Sequence, residues 1–123
     1  MNQYGIIIVS HVSNIAEGTM RLIKQVASNV PITIAGGIND DDVGTSIDKI
    51  QNAIDNNQAN NLLAFYDLGS AKMNLEVCSE ITTKNVYLYN VPIVEGAYSA
   101  ASLLEVGVSL EDINNQLHEM EVK

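Results

Sequence analysis

Tyr4-Gly-Ile-Ile-Ile-Val-Ser-His-Val-Ser-Asn-Ile-Ala-Glu-Gly18 opens as an apolar run, stops on Ser10-His11 and turns at once into helix-forming sequence. Ile6 to Val9 are consecutive and β-branched rather than alternating, the pattern of a short strand buried on both faces of a parallel sheet. Such a strand belongs at the centre of its sheet. Ser13 offers an N-cap oxygen to the following turn. Ile15, Ala16, Leu22, Ile23, Val26 and Ala27 then recur at helical spacing, which predicts a helix to about Asn29. His11 thus falls at a strand C-terminus, just before a helix N-terminus. Ligands of open parallel sheets bind outside the carboxyl ends of the strands, where free helix amides attract anions. Placement alone makes His11 a candidate site residue.

The same unit recurs along the chain. Val30-Pro31 breaks the first helix, Ile32-Thr33-Ile34-Ala35 reads as a second strand, and Gly36-Gly37-Ile38 with Asn39-Asp40-Asp41-Asp42 forms a loop. Gly44-Thr45-Ser46 leads into a helix whose buried stripe is Ile47, Ile50, Ala53 and Ile54, with Asn56-Asn57 at its polar end. Leu62 to Tyr66 is a third strand ending on Asp67. Gly69-Ser70 then opens a helix with Ala71, Leu75, Cys78 and Ile81 toward the core, so Asp67 has the placement of His11. Val86 to Tyr89 is a fourth strand. Pro92 argues against an inner strand beyond it. A helix over 95–106 closed by Gly107 and a last one capped by Ser109 complete the chain.

Four strand-helix alternations imply an α/β fold: an open, doubly wound, mostly parallel sheet of four or five strands flanked by helices with right-handed crossovers. If strands one and three are neighbours, with strand two beyond strand one, a crevice opens between their C-terminal ends and His11 meets Asp67 there. That order is taken from common doubly wound architectures.

The 123 residues fit one domain, large enough to bury a core without disulfides or structural metal. A lone Cys78 and the absence of a charged-then-apolar leader favour a reducing cytoplasm. No apolar run approaches the ~20 residues that cross a bilayer. Six Lys and Arg against fifteen Asp and Glu give a net charge of −9, which weighs against nucleic acid and anionic membranes and favours protein partners with basic patches.

A neutral imidazole can attack phosphorus with one nitrogen while the other donates to a carboxylate that fixes the tautomer and offsets positive charge on the ring. His11 with Asp67 supplies such a pair. The amides opening the helices after His11 and at Gly69 suit the equatorial oxygens of a transferring phosphoryl group, and Ser13, Thr45 and Ser70 add hydroxyls. The residues alone equally allow His11 as a strand-end polar group bonded to a carbonyl, and Asp67 as a helix N-cap. Lys72 reads as a solvated lysine, His118 as a solvent-facing helical residue and Cys78 as core. Asp40-Asp41-Asp42 lacks the spacing and the terminal bidentate Glu of a calcium loop. Neither a Walker A motif nor a dinucleotide fingerprint follows the first strand, so no nucleotide or metal site is expected in this chain.

Four stretches in order, Gly5-Ile-Ile-Ile-Val-Ser-His11, Gly36-Gly37 with Gly44-Thr45-Ser46, Phe65-Tyr-Asp-Leu-Gly-Ser-Ala71 with Met73-Asn74, and Asn90-Val91-Pro92 with Glu95-Gly96-Ala97, resemble the phosphotransferase subunits of phosphoenolpyruvate-dependent dihydroxyacetone kinase, which are related to the mannose-class enzyme IIA domains. The resemblance covers the whole chain. It implies a phosphotransferase in which His11 is transiently phosphorylated, on Nε2, by the histidine-containing phosphocarrier protein. The group then passes to ADP held, with magnesium, on a partner L subunit, whose ATP phosphorylates dihydroxyacetone on a K subunit. By the same resemblance Asp67 holds the other imidazole nitrogen, and Ser70 lies in the oxyanion-binding turn. The fold implies a homodimer, with the Pro92 region contributing an edge strand to its neighbour. The alternatives are a mannose-type sugar phosphotransferase IIA component and a histidine-phosphorylated regulatory module. A chain without a DNA-binding segment weighs against the last.

Overall fold

The computed structural model describes residues 3–39 and 42–122. Four strands, β1 (Tyr4–Ser10), β2 (Ile32–Gly36), β3 (Asn61–Tyr66) and β4 (Asn85–Tyr89), form an all-parallel sheet in the order β2-β1-β3-β4. The intervening helices are α1 (Ser13–Lys24), α2 (Ile47–Asn56) and α3 (Gly69–Ile81), and α4 (Ile93–Glu105) and α5 (Leu110–His118) follow β4. The neighbours inferred for β1 are the ones observed.

The unbroken apolar run of β1 has a direct cause. Ile6 and Ile8 point into a layer with α1, α4 and α5, built from Ala16, Ile23, Ala97, Ala100, Ala101, Ile113 and Leu117. Ile7 and Val9 point the other way, into a layer with Ile50, Ala53 and Ile54 of α2 and Ala71, Leu75 and Cys78 of α3. All four β1 residues are fully buried, each worth roughly 1.5–3 kcal/mol of transfer free energy. β3 alternates in the same way, with Leu63 and Phe65 on one side and Leu62, Ala64 and Tyr66 on the other. A strand covered on both sides has no polar face to declare.

Several local expectations are corrected. The first helix ends at Lys24, not near Asn29. Position 30 precedes a proline and is disfavoured in the α region, and the Asn29 amide and side chain are held by the Glu105 carboxylate at 2.9 and 2.7 Å. Ser13 is the first helical residue; Val12 occupies the cap position, with no side-chain hydrogen bond there. Ile81 is 66% exposed, so the buried stripe of α3 stops at Cys78. Pro92 lies in no strand of this chain. It is the residue before α4, where its fixed φ suits a helix start, and the described sheet has four strands.

Gly107 is required by its backbone conformation and Gly36 by a close approach. Gly107 has φ +82°, and its amide and that of Val108 bond back to Leu104 and Leu103, closing α4 in the left-handed conformation favoured after helices. Gly36 ends β2 against the first turn of α1, where a Cβ would stand 2.6 Å from the Ser13 Cα. That close approach brings the β2 end of the sheet beside the start of α1.

Candidate functional site

β1 and β3 pair in parallel register, Val9 opposite Tyr66, so the next residues of both strands emerge side by side at the C-terminal edge of the sheet. Asp67 therefore reaches His11 directly. The imidazole Nδ1 lies 2.9 Å from Asp67 Oδ1, and the side chains are only 16% and 15% exposed. The Leu68 amide also donates to Oδ1, at 2.8 Å. Oδ2 accepts from the His11 amide at 2.9 Å and from the Ser10 hydroxyl at 2.8 Å. The carboxylate thus has two donors on each oxygen, close to its full acceptor capacity.

Burial alone would raise the Asp67 carboxyl. The hydrogen bonds from the His11 amide, the His11 ring and the Ser10 hydroxyl, with the attraction of the His11 charge, outweigh it and hold the group below its ordinary 3.8. An ionised carboxylate only accepts, so Nδ1 carries the ring proton of the neutral imidazole. Nε2 then presents a lone pair toward the exposed side, where Ser70 Oγ stands 2.6 Å away and donates to it. A line of groups results: carboxylate, Nδ1–H, Nε2 and a serine hydroxyl at the start of α3.

Each remaining candidate has a definite place. Gly69 and Ser70 open α3, in the first turn where amides have no intrahelical acceptor. Asp67 is not the cap of that helix; Leu68 occupies the cap position, and the carboxylate is spent on His11, Ser10 and Leu68. Thr45 Oγ1 accepts from the Asn74 side chain at 2.6 Å, tying the loop before α2 to α3, while the neighbouring Gly44 amide donates to the His11 carbonyl at 2.8 Å. Thr45 is thus anchored to α3 near the site rather than bonded to the imidazole. On the α1 side two amides are already used: that of His11 by Asp67 and that of Val12 by Ser10 Oγ at 3.1 Å. The donors expected from that helix are reduced accordingly, and Ser13 follows them as the first residue of α1.

Lys72 is exposed on α3. His118 is exposed and pairs with Glu121, and Cys78 is buried, its thiol pushed up by burial and then by Asp48 and Asp55. Of the acidic loop, Asp40 and Asp41 lie outside the described residues, and Asp42 accepts from the Asn39 side chain at 2.9 Å. Among the described residues no group of three or more His, Cys, Asp or Glu is placed to hold a metal. A groove of about 680 Å³ runs along the outer edge of β2 between α1 and α2, lined by Glu17, Thr33, Lys49 and Asn52 among others; His11 is not part of it.

Sequence reasoning passed over Ser10 and Asn74. Ser10 is fully buried, and its position as the last residue of a two-sided apolar strand was the available signal, since a buried hydroxyl must find a partner. Asn74 carries no such signal; in the sequence it is simply part of the stretch around Met73.

The chain matches the family model EIIA-man, described as the PTS system fructose IIA component, over residues 5–114. It is 51% identical over 117 residues to the "PTS-dependent dihydroxyacetone kinase, phosphotransferase subunit DhaM" of Lactococcus lactis, covering 95% of each chain. Identity is 44% over 120 residues to the "PEP-dependent dihydroxyacetone kinase 1, phosphoryl donor subunit DhaM" of Listeria innocua, covering 98% and 97%. A crystallised protein of unknown function superposes with a TM-score of 0.85 at 28% identity, over 100% of this chain and 98% of the other. The phosphotransferase system component EIIA of Streptococcus agalactiae superposes at 0.65 with 20% identity, over 98% and 96%, a likeness of fold.

Proposed function

Because the chain belongs to the mannose-class enzyme IIA family, among the phosphotransferase subunits of dihydroxyacetone kinase, we propose that it is a phosphohistidine carrier in that system. His11 Nε2 accepts a phosphoryl group from the histidine-containing phosphocarrier protein and delivers it to ADP on the L subunit. The ATP so formed phosphorylates dihydroxyacetone on the K subunit. ADP, ATP and magnesium belong to the L subunit, and this chain supplies the nucleophile and its surroundings.

The observation that carries this reading is the orientation of one imidazole, Nδ1–H on Asp67 Oδ1 at 2.9 Å and Nε2 on Ser70 Oγ at 2.6 Å. The Nε2 lone pair attacks phosphorus as the phosphorus–nitrogen bond to the donor's histidine breaks, and the donor ring leaves neutral. Positive charge then spread over the phosphorylated His11 ring is offset by Asp67, which stays ionised while the proton stays on Nδ1. Ser70 must first give up its bond to the lone pair. Its hydroxyl is then next to the incoming oxygens, with the Gly69 and Ser70 amides at the start of the same helix. Ser13, at the start of α1, and Thr45, held by Asn74 of α3, are proposed as further hydroxyl donors to the phosphoryl oxygens. Delivery to ADP reverses these steps.

The test uses purified enzyme I, phosphocarrier protein, labelled phosphoenolpyruvate and this chain. Acid-labile label appears on His11, vanishes in His11→Ala with the fold intact, and moves to ADP when the L subunit is added. Label that reaches a sugar permease component instead establishes a mannose-type role, and label that stays on the chain with both acceptors present establishes a regulatory one. A wild-type chain that takes no label refutes the reading altogether. The cytoplasm is the compartment this chemistry requires. Homodimerisation belongs to the same proposal; β2 ends the described sheet with its outer edge unpaired, and light scattering that gives only the 13.3 kDa of one chain would remove it.

A further inference from the structure

We infer that Ser10 is a positioning residue for the reactive imidazole, its buried hydroxyl locking the Asp67 carboxylate in the one rotation that presents Oδ1 to His11 Nδ1. The inference rests on His11 being the phosphoryl acceptor and adds a residue to that site.

Ser10 is the last residue of β1 and is fully buried. Its Oγ makes two hydrogen bonds of fixed sense. The Val12 amide, 3.1 Å away, can only donate to it. The hydroxyl proton is therefore free for Asp67 Oδ2 at 2.8 Å, and an ionised carboxylate can only accept. One side chain thus couples the start of α1, through Val12, to the carboxylate that orients the ring.

The carboxylate needs that hold. Oδ1 serves His11 Nδ1 and the Leu68 amide, and Oδ2 serves the His11 amide and Ser10. With four donors, two per oxygen, rotation about the terminal torsion breaks bonds at both ends. Without the Ser10 hydroxyl, Oδ2 keeps a single donor and the Val12 amide loses its acceptor. The carboxylate can then turn toward a geometry shared between its oxygens. Nδ1–H follows it, and the Nε2 lone pair swings away from the position Ser70 marks. Partners that orient metal-ligating histidines change function by about ten- to a hundredfold when removed, and an effect of that size is expected where the oriented ring is a nucleophile.

The experiment compares Ser10→Ala, Ser10→Cys and Ser10→Thr in the full chain. The first readout is the Nδ1 proton of His11 in a sample carrying ¹⁵N-labelled histidine, without any phosphoryl donor. The wild type shows a protected, hydrogen-bonded proton on Nδ1. Ser10→Ala and Ser10→Cys lose that protection, because neither offers a strong donor to Oδ2. The second readout is phosphoryl acceptance from the phosphocarrier protein. kcat falls about tenfold or more in both variants while KM for the donor holds, since the protein surface is unchanged. Ser10→Thr, which keeps the hydroxyl, stays within about twofold of wild type in both readouts.

If Ser10→Ala does not fold, Ser10→Cys, which keeps an atom at the γ position, carries the test. A weak-donor variant with wild-type kcat and an unaltered Nδ1 proton overturns the inference, as does a loss in Ser10→Thr equal to that in Ser10→Ala, which would assign Ser10 to packing. A wild-type chain that shows the protected proton but takes no label refutes the proposed function instead. The two failures are therefore distinguishable.

Discussion

Replacing Asp67 by asparagine changes one atom and sets four donors against an acceptor that can satisfy only two. Oδ1 now faces His11 Nδ1 and the Leu68 amide, and Oδ2 faces the His11 amide and the Ser10 hydroxyl, all within 2.8–2.9 Å. If the asparagine carbonyl takes the Oδ1 place, its amide group points at the His11 N–H. Ser10 can turn and accept, but that backbone donor is orphaned, at a cost of about 1–3 kcal/mol in stability. If the amide takes the Oδ1 place, it must donate to Nδ1. The ring proton then moves to Nε2 and the nucleophilic lone pair is gone.

In the first arrangement the charge-assisted bond to Nδ1 becomes a neutral one, and the charge developing on the ring loses the difference, about 1–1.5 kcal/mol of stabilisation. That converts to roughly a five- to tenfold slower transfer. The assay is the initial rate of acid-labile label on His11 with saturating phosphocarrier protein, alongside urea unfolding of the same sample. Asp67→Asn that accepts label within about twofold of wild type would refute the role given to the carboxylate. The pH dependence supplies an independent check. The folded chain holds this carboxyl below 3.8, so its stabilising contribution is complete above that pH and is lost as pH falls from 3.8 through the lowered folded value. Asp67→Asn should flatten that part of the acid unfolding curve.

Ser70→Ala removes the hydroxyl 2.6 Å from Nε2; label acceptance should slow by about tenfold if Oγ turns to the phosphoryl oxygens, and a rate at or above wild type would show that it only occupies the lone pair. Gly96→Ala should destabilise by about 1–3 kcal/mol in urea titration, because the new Cβ runs into Val91 Cγ2 and stands 3.3 Å from Phe65 Cε1. Adding Val91→Ala should return part of the loss. Tyr89, whose hydroxyl bonds to Asn114 Oδ1 at 2.6 Å, is pushed up to about 12 by burial and then by Tyr87 and Tyr4. Its contribution is complete below the ordinary value of 10.0 and is lost as pH rises from there toward about 12, so Tyr89→Phe should lack that part of alkaline destabilisation measured by circular dichroism.

Much of the site was legible because each half is local. An apolar run that stops on a polar residue before helix-forming sequence marks a strand end, and this chain does so at both His11 and Asp67. Boundaries were less legible. Asn29 has no signal in its own neighbourhood for the carboxylate 76 residues later that holds it outside the helix. Ile81 continues a helical spacing, yet it is exposed beyond the last residue of α3 that reaches the core. Pro92 marked the end of strand structure, as the sequence indicates, but the helix after it starts at Ile93 rather than Glu95, and its small residues, Gly96, Ala97, Ala100 and Ala101, are buried against the sheet.

Composition and order of residues were enough to determine alternating strands and helices and an imidazole placed where a helix begins. Those features depend on neighbours within a few positions, through torsional preference and the spacing of apolar side chains. That His11 and Asp67 face each other, that Nδ1 rather than Nε2 is tied down, and that Ser10 holds the carboxylate were decided only by tertiary structure. They follow from β1 lying beside β3 in a register that brings residues 56 and 57 positions apart within hydrogen-bonding distance. Strand order is chosen by the burial of both faces of the central strand, a long-range energy that no local stretch of the chain contains.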